Sequence, residues 1–313
     1  MTLLLSCIST RHSLLKNHWA QSREQTACPV TTLGSLQKPK EDQGGLLVSL
    51  DEAGQIQATL PLTMPAGMAQ TEQGLLVAAL DTIYEVSPDL TAIKKSVSLP
   101  SFSLLHSLNR TARGYLVAST GVDAIVEFSR DGDPLWSWWA TEHGFEETPT
   151  GERRILDTTA DHRGVKYGTL TQTTHVNSAT EWKHDTILAT LFHQGSIVAI
   201  ERETGRWQTV LSGLNHPHSV RVLDDHYVTV ADTGHGRALL VHLKDGQGII
   251  EHEVTIETDW LQDSYYDIHA ERWYLVDGKN SRVVIQKGLA GSETLAELQL
   301  DPEWRLYEAH PLH

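Results

Sequence analysis

The sequence predicts an all-β chain folded as a six-bladed β-propeller, closed by strands from both of its ends in one blade. Three observations carry this expectation. The first is a unit that recurs at a spacing of about 40 residues, the length of a propeller blade. The stretch HVNSATEWKHDTILAT from His175 aligns without a gap onto HPHSVRVLDDHYVTVA from His216. His175 then falls on His216, Asn177 on His218 and Ser178 on Ser219. The preceding copy, HSLNRTARGYLVASTGVDAIVEF, places His106 on His218 and Asn109 on Arg221. The second observation is that each unit breaks into short apolar runs separated by turn residues, as strands do. The third is that polar residues return at the start of each unit, where the innermost strand of a blade would begin.

The units can be justified in order. One runs from Met64 to Leu99, with GLLVAAL and TIYEVS as its clearest strands, and the next from Ser101 to Trp139, with GYLVAS, AIVEFS and PLWSWW. A third spans Thr173 to Leu214, a fourth Asn215 to Glu257, and a fifth Trp260 to Leu300, where WYLVDG and RVVIQK form the middle strands. What remains is RLYEAHPLH at the C-terminus, able to supply one inner strand, and TLLLSCI, GGLLVSL and GQIQATL near the N-terminus, able to supply three outer ones. Joined as a sixth blade, they hide the two sheet edges that an open ring would expose. The chain is therefore read as a single domain over 1–313.

Two segments interrupt the repeat. Thr10 to Gln43 is rich in Ser, Thr, Gln, Lys and Pro without a sustained period, and reads as a disordered excursion (10–43) with no part in the core. Thr141 to Thr171 inserts about 30 residues between the second and third blades, an inserted loop or lid (141–171).

Composition narrows the partners. The chain has 313 residues and a formal net charge of -15, which repels a phosphate backbone, and no basic run offsets it, so nucleic acid is not an expected partner. Cys7 and Cys28 are too few for a disulfide framework and lack C-x-x-C spacing, so they read as free thiols of a reducing compartment. The apolar run Thr2 to Ile8 has no basic residue before it and reads as a buried strand rather than a signal peptide. No apolar run approaches the ~20 residues that span a bilayer. The expectation is a cytoplasmic protein without membrane contact, acting on a small-molecule substrate; its oligomeric state is not encoded in any motif.

In a propeller, loops that lead into the inner strand lie on the same face as loops joining the second and third strands, because successive strands are antiparallel. The first set carries His106, His175, His216 and His218, with Asn109, Asn177 and Arg221 further along; the second carries Asp81, Asp123, His193, Asp232, His235, Asp277 and Asn280. Neutral imidazoles from several strands, aimed at one axis, form a metal-ligand arrangement because each offers one nitrogen lone pair on a stiff support. Such donors suit a transition metal, zinc first and iron or copper as alternatives, whereas calcium would call for more carboxylates. His106, His175, His216 and His218 are the candidate ligands. His193 and His216 are candidates for acid/base work, Asp232 for orienting an imidazole, and Arg221 for gripping a carboxylate or phosphate.

The plainer reading stands beside each. A lone buried histidine is more often a hydrogen-bonded core residue than a ligand, Arg221 and Lys279 more often belong to salt bridges, and the tryptophans of PLWSWW more simply pack between blades. His12, His18, His184, His226 and His252 read as solvent histidines, and His269 as lying at the far end of its strand. Counting from Asp277, Asp263 takes the position of His218, while Met64 and Ala66 take those of His216 and His218 in the first unit.

The segment DDHYVTVADTGHGRALLVHL resembles the strand-turn-strand core of NHL-type propellers, with their V-A-D-T-G-N-x-R-V pattern. Over residues 44 to 310 the layout is similar to the larger six-bladed group that includes the gluconolactonase/regucalcin family, strictosidine synthase and the peptidyl-hydroxyglycine lyase domain. The lactonases hold a metal largely through Glu, Asn and Asp, a pattern this chain does not match. The lyase domain sets histidines of separate blades around zinc, which the recurring histidines resemble, although the paired cysteines of that domain are absent here. This resemblance implies a metal-dependent lyase or hydrolase acting on a small organic molecule. An iron- or copper-dependent oxygenase or oxidase at the same histidines, and a non-catalytic NHL-like binding propeller, are the alternatives.

Overall fold

A computed structural model of the chain describes residues 2–25, 41–72, 74–183 and 185–312. Cys28 and His184 lie outside them. The first strand, β1 (Thr2–Ser9), is followed by helix α1 (His12–Gln25), β2 (Leu46–Leu50) and β3 (Ile56–Pro61). Five four-stranded units then follow in chain order. They are β4–β7 (Pro65–Thr71, Gly74–Ala79, Thr82–Val86, Ile93–Val97), β8–β11 (Leu105–Arg110, Tyr115–Ser119, Ala124–Phe128, Pro134–Trp139) and β12–β15 (Val176–Lys183, Thr186–Leu191, Ser196–Glu201, Trp207–Leu211). Next come β16–β19 (His218–Val222, Tyr227–Asp232, Arg237–Lys244, Gln247–Thr255) and β20–β23 (Leu261–Asp267, Arg272–Asp277, Arg282–Lys287, Glu293–Gln299), before the last strand, β24 (Arg305–Leu312).

These strands form six antiparallel four-stranded sheets, and the sixth has the order β24-β1-β2-β3. The fold is the six-bladed propeller that the repeat predicts, with its ring closed by pairing the two ends of the chain. Leu3 pairs with Pro311 and Leu5 with Ala309 on one side of β1, and Leu3 with Leu50 on the other. That placement accounts for the unbroken apolar run of β1: a strand inside a blade, with sheets packed on both faces, buries alternate residues on both sides. Leu3, Leu4, Leu5 and Cys7 are all essentially inaccessible. Cys7 is a free thiol, and burial pushes it up to about 12.

The core lies between neighbouring blades rather than at one centre. Val117, Val126 and Phe128 of the second blade pack with Ala78 and Ile83 of the first, and Val198 and Ile200 of the third pack with Trp138 and Ile125 of the second. The PLWSWW strand works as the plainer reading has it, since the Trp136 and Trp138 indoles donate to the carbonyls of Arg202 and Gly205 on the next blade, at 2.9 and 3.1 Å.

The backbone repeats as the sequence does. Met64, Leu104, His175 and His216, the residues at matching positions in four units, all adopt left-handed φ angles between 48° and 55°. This is an uncommon conformation for residues with a Cβ, so its recurrence confirms the alignment. In the fifth blade the register differs from the count made on Asp277. Leu261 pairs with the last residue of its second strand, as Val176 does in the third blade, so Gln262 and not Asp263 occupies the slot of His218. The β-bulge after the first pair of the inner strand recurs in the other blades, between Val176 and Ser178 and between His218 and Arg221 as between Leu261 and Asp263, so the extra residue of the fifth blade lies in the hairpin that joins β20 to β21.

The expectation for the 10–43 excursion needs correction over its first part. His12–Gln25 is a helix, and Leu15 is buried against Ile8, Ala66 and Tyr307, with Trp19 packed beside them. Leu15 and Trp19 are four residues apart and share a face, but two apolar residues are too few to reveal a helix by period. The start of the helix is capped from elsewhere: Glu303 accepts the Ser13 N–H at 3.1 Å and the Ser13 hydroxyl at 2.6 Å. His12 is consequently buried instead of solvent-facing, and burial lowers it to about 4.

Candidate functional site

Both interruptions of the repeat emerge on one face. The chain between β1 and β2 is the loop joining the second and third strands of the sixth blade, and the 141–171 segment leads into the inner strand of the third. Antiparallel order puts both beside the loops that carry the histidines. The 141–171 segment is fastened there: the Gly164 N–H donates to Asp81 at 2.7 Å, the His162 N–H to the Pro100 carbonyl at 2.8 Å, and the Ser103 hydroxyl to the Val165 carbonyl at 3.3 Å.

Under this cover the candidate residues converge. The ring centroids of His106 and His175 are 5.2 Å apart, and those of His175 and His193 5.9 Å. His216 stacks on Phe192 at 4.1 Å and faces Trp260 at 6.1 Å, while His218 meets Phe192 at 5.8 Å and Trp260 at 6.1 Å. Tyr307, on the inner strand of the closing blade, sits edge-on to His106 at 5.4 Å and to His218 at 6.5 Å. Five imidazoles from two sets of loops thus share one patch, walled by Phe192, Trp260 and Tyr307.

The orientation of the rings is set by their neighbours. The Nδ1 of His106 donates to the Leu104 carbonyl and that of His218 to the His216 carbonyl, each at 2.9 Å, a hydrogen bond repeated because the two residues occupy the same slot. The Nδ1 of His175 donates to the Gln172 side-chain oxygen. Carbonyl and carboxamide oxygens only accept, so the proton is on Nδ1, shared in His218 with the Thr233 hydroxyl oxygen at 2.8 Å, and the Nε2 of all three rings is left with a bare lone pair and no hydrogen bond among the described residues. His193 is held the other way, its Nε2 donating to the Thr169 carbonyl at 3.0 Å. Burial lowers His106 to about 4 and His218 to about 3, and lowers His193 and His216. His175 falls well below the usual imidazole range through burial first and the neighbouring histidines second. All five are neutral at pH 7.

A buried carboxylate holds this arrangement from behind. Asp123, fully inaccessible, accepts the backbone N–H groups of Thr173, Thr174 and His175 at 2.7, 3.0 and 2.7 Å, and the Thr173 and Thr174 hydroxyls at 3.2 and 2.9 Å. Arg154 of the inserted segment completes its shell. Asp232 has the matching role one blade on, accepting the Asn215 N–H at 2.6 Å just before His216. Its other oxygen takes His235 at 2.8 Å and Arg237 at 2.7 Å. Asp232 therefore positions the loop of His216 and contacts the ring of His235, rather than that of a channel histidine.

Deeper in the channel, Arg221 bridges three blades. It donates to Asp263 at 2.5 Å, to the Ser264 carbonyl at 2.8 Å and to Glu308. Glu308 in turn accepts the Met68 N–H at 2.5 Å. This girdle leaves a cavity of about 10 Å³, on the scale of one water, between His106, Asn177, His218 and Tyr307. Lys279 pairs at the surface with Asp259. His269 lies in the loop at the opposite end of its blade, as its spacing suggests. Phe192, Tyr307, Trp260 and Gln172 escape a reading based on repeats because each belongs to one blade alone.

Among the described residues, no three His, Cys, Asp or Glu side chains are grouped so as to hold a metal ion. No helix of the described residues is long and apolar enough to cross a membrane.

No family model matches the chain, and no curated protein matches its sequence. Solved structures do. A protein of unknown function from Bacteroides caccae is 15% identical, covering 88% of this chain and 95% of its own, with a TM-score of 0.60. The periplasmic gluconolactonase of Pseudomonas aeruginosa is 12% identical over 89% of this chain and 97% of its own, at 0.54. Virginiamycin B lyase from Staphylococcus aureus is 13% identical over 77% and 72%, at 0.50. The likeness at these identities is one of fold.

Proposed function

We propose that the covered end of the channel is the active site of an enzyme of lyase or hydrolase type acting on a small organic molecule. The observation that carries this is the set of neutral imidazoles of half-buried His106 and buried His175 and His218, each with Nδ1 occupied and Nε2 uncommitted. Such a set is poor in structural purpose, since each ring leaves a strong acceptor unused. The scaffold is one on which a lyase and a lactonase are found among the matched structures.

The donor chemistry fits a transition metal, zinc first, with His106, His175 and His218 as ligands and His216 as a further one. Hydrogen-bonded Nδ1 groups are the usual support of imidazole ligands. The rings must turn from the positions described here to bring three donors to one ion, because no such group exists among the described residues. A bound ion would supply Lewis acidity toward a carbonyl or a bound water. The chain supplies the rest. His216, whose ring carries no hydrogen bond among the described residues, is kept neutral by burial and can accept a proton. Phe192 and Trp260 flank it and exclude water. His193, with Nε2 held by Thr169, presents the opposite nitrogen to the same patch. Arg221 keeps its inter-blade partners and shapes the channel floor.

The spread of the donor atoms, no three of which are grouped for one ion among the described residues, favours a second reading, in which the same histidines perform acid/base catalysis on their own. Elemental analysis of untagged protein, alongside the His106→Ala/His175→Ala double variant, separates the two. About one zinc, iron, copper or nickel per chain, lost in the folded variant, is the expected result. Absence of a transition metal from the wild-type protein even after reconstitution refutes the metal reading and leaves the metal-free one. Colour and an absorbance band would mark the redox alternative.

A further inference from the structure

We propose that Arg305 is the docking point for a carboxylate, so that the molecule bound at this site is an organic acid; this deepens the reading above by naming the class of substrate. Arg305 opens the inner strand of the closing blade and is only 5% exposed. A buried guanidinium is normally matched by a carboxylate, and the other buried arginines here follow the rule, as does half-buried Arg221: Arg154 has Asp123, Arg202 has Glu181 and Glu127, and Arg221 has Asp263 and Glu308. Arg305 has no ion pair among the described residues. Asp277 and Asp259 are near enough to be felt, but the first is bonded to Asn280 and Arg282 and the second to Lys279.

The surroundings lack acceptors in particular. Among the described residues the only side-chain hydrogen bond of the guanidinium is a long one, 3.4 Å, to the Gln262 oxygen, and its Nε is buried without an acceptor. Gln262, in the slot that holds His218 one blade earlier, gives its oxygen to the Trp260 indole at 2.8 Å and leaves its own buried Nε2 unpaired. Two orphaned donors side by side call for a group that only accepts, and a carboxylate has two such oxygens. Gly278 packs directly against both residues, a Cβ there standing 2.9 Å from the Gln262 Cβ and from the Leu306 carbonyl and 3.4 Å from the guanidinium carbon, so no side chain supplies an acceptor from that position.

Shape selects the carboxylate over a tetrahedral anion. The guanidinium carbon lies over two aromatic rings, 5.6 Å from the centre of Trp260 and 5.7 Å from that of Trp19 of α1. A planar group that continues the guanidinium plane fits such a slot, and an Arg fork meets a carboxylate in that coplanar manner. Trp260 is also the wall of His216 and His218, so an acid held on Arg305 directs its remaining atoms toward those rings. Lys166, on the inserted segment beside His18, is a second cation without a carboxylate partner among the described residues. Trp19 roofs Arg305, so the acid enters as α1 yields.

Ligand-observed NMR titration of the full chain with benzoate, and with benzamide as its neutral isostere, tests this. We expect benzoate to bind at least tenfold more tightly than benzamide. Arg305→Gln should reduce benzoate to the benzamide level with the circular dichroism spectrum retained, and Arg305→Lys should give an intermediate affinity. The His106→Ala/His175→Ala variant should keep benzoate binding, which separates this result from the outcome of the metal analysis. Equal binding of acid and amide by the wild type overturns the proposal. So does benzoate binding that survives Arg305→Gln but is lost in the histidine double variant, because the anion would then rest on the histidines.

Discussion

Replacing Asp123 by Asn should destabilise the protein by about 3–5 kcal/mol, the cost of breaking a buried ion pair from one side. The carboxylate is fully buried and accepts five hydrogen bonds from residues 173–175 in addition to Arg154. The amide removes the charge and turns one oxygen into a donor that faces other donors. Arg154, with a side chain 2% exposed, is then left with the Gly121 carbonyl at 2.7 Å and the Tyr167 ring at 5.1 Å. The reverse change should be milder. Arg154→Met removes one of six donors and leaves the carboxylate satisfied by the other five, so a loss of about 1.5–3 kcal/mol is expected, that of a single charged hydrogen bond. Urea unfolding of the two single variants and the Asp123→Asn/Arg154→Met double variant measures both costs and their coupling. The reasoning is refuted if Asp123→Asn costs less than about 1 kcal/mol, or if Arg154→Met is the more damaging change.

Acid should destabilise the protein before its carboxylates titrate. His106 and His218 move from an ordinary 6.5 to about 4 and about 3 on folding, and His175 moves in the same direction. Below pH 6.5 the unfolded chain therefore binds more protons than the folded one, and stability is full above 6.5 and falls as the pH drops toward 4, by up to about 1.4 kcal/mol per pH unit for each histidine. Urea midpoints that stay flat from pH 7 to pH 5, for a wild type whose histidine variants behave identically, would contradict the burial of these rings. Glu303→Ala should uncap α1 at a cost of about 0.5–2 kcal/mol, seen as faster amide hydrogen exchange over residues 12–25 with little change in the exchange of the blades. Unchanged exchange would show that Leu15 and Trp19, not the cap, hold the helix.

What could be read without coordinates followed from periodicity. A blade is a local unit of about 40 residues whose strands pair in sequence, so turn residues and apolar runs reveal its boundaries. Repetition of the unit brings equivalent positions to one axis whatever the side chains are. For this reason His106, His175, His216 and His218 could be gathered at one end of the channel from spacing alone, and His193 with them, since antiparallel strands put both sets of loops on one face. The closing blade was legible for the same reason: leftover strands at the two ends had one place to go.

Other features depended on contacts between segments far apart in the chain. Helix α1 exists where composition suggests disorder because Glu303 caps it and Tyr307 and Ala66 give Leu15 a pocket. The register that puts Gln262 into the slot of His218 is a matter of backbone pairing, and no residue type announces it. Arg221 is a bridge between three blades, whereas Arg305 has no ion pair among the described residues, although both are arginines on inner strands. The sequence by itself determined the ring, its closure and the histidine face, because these follow from local pairing repeated around an axis. Only the tertiary structure decided which polar groups on that face are satisfied and which are left with unused capacity, because a hydrogen bond needs its partner within about 3 Å, and that partner is usually supplied by another blade.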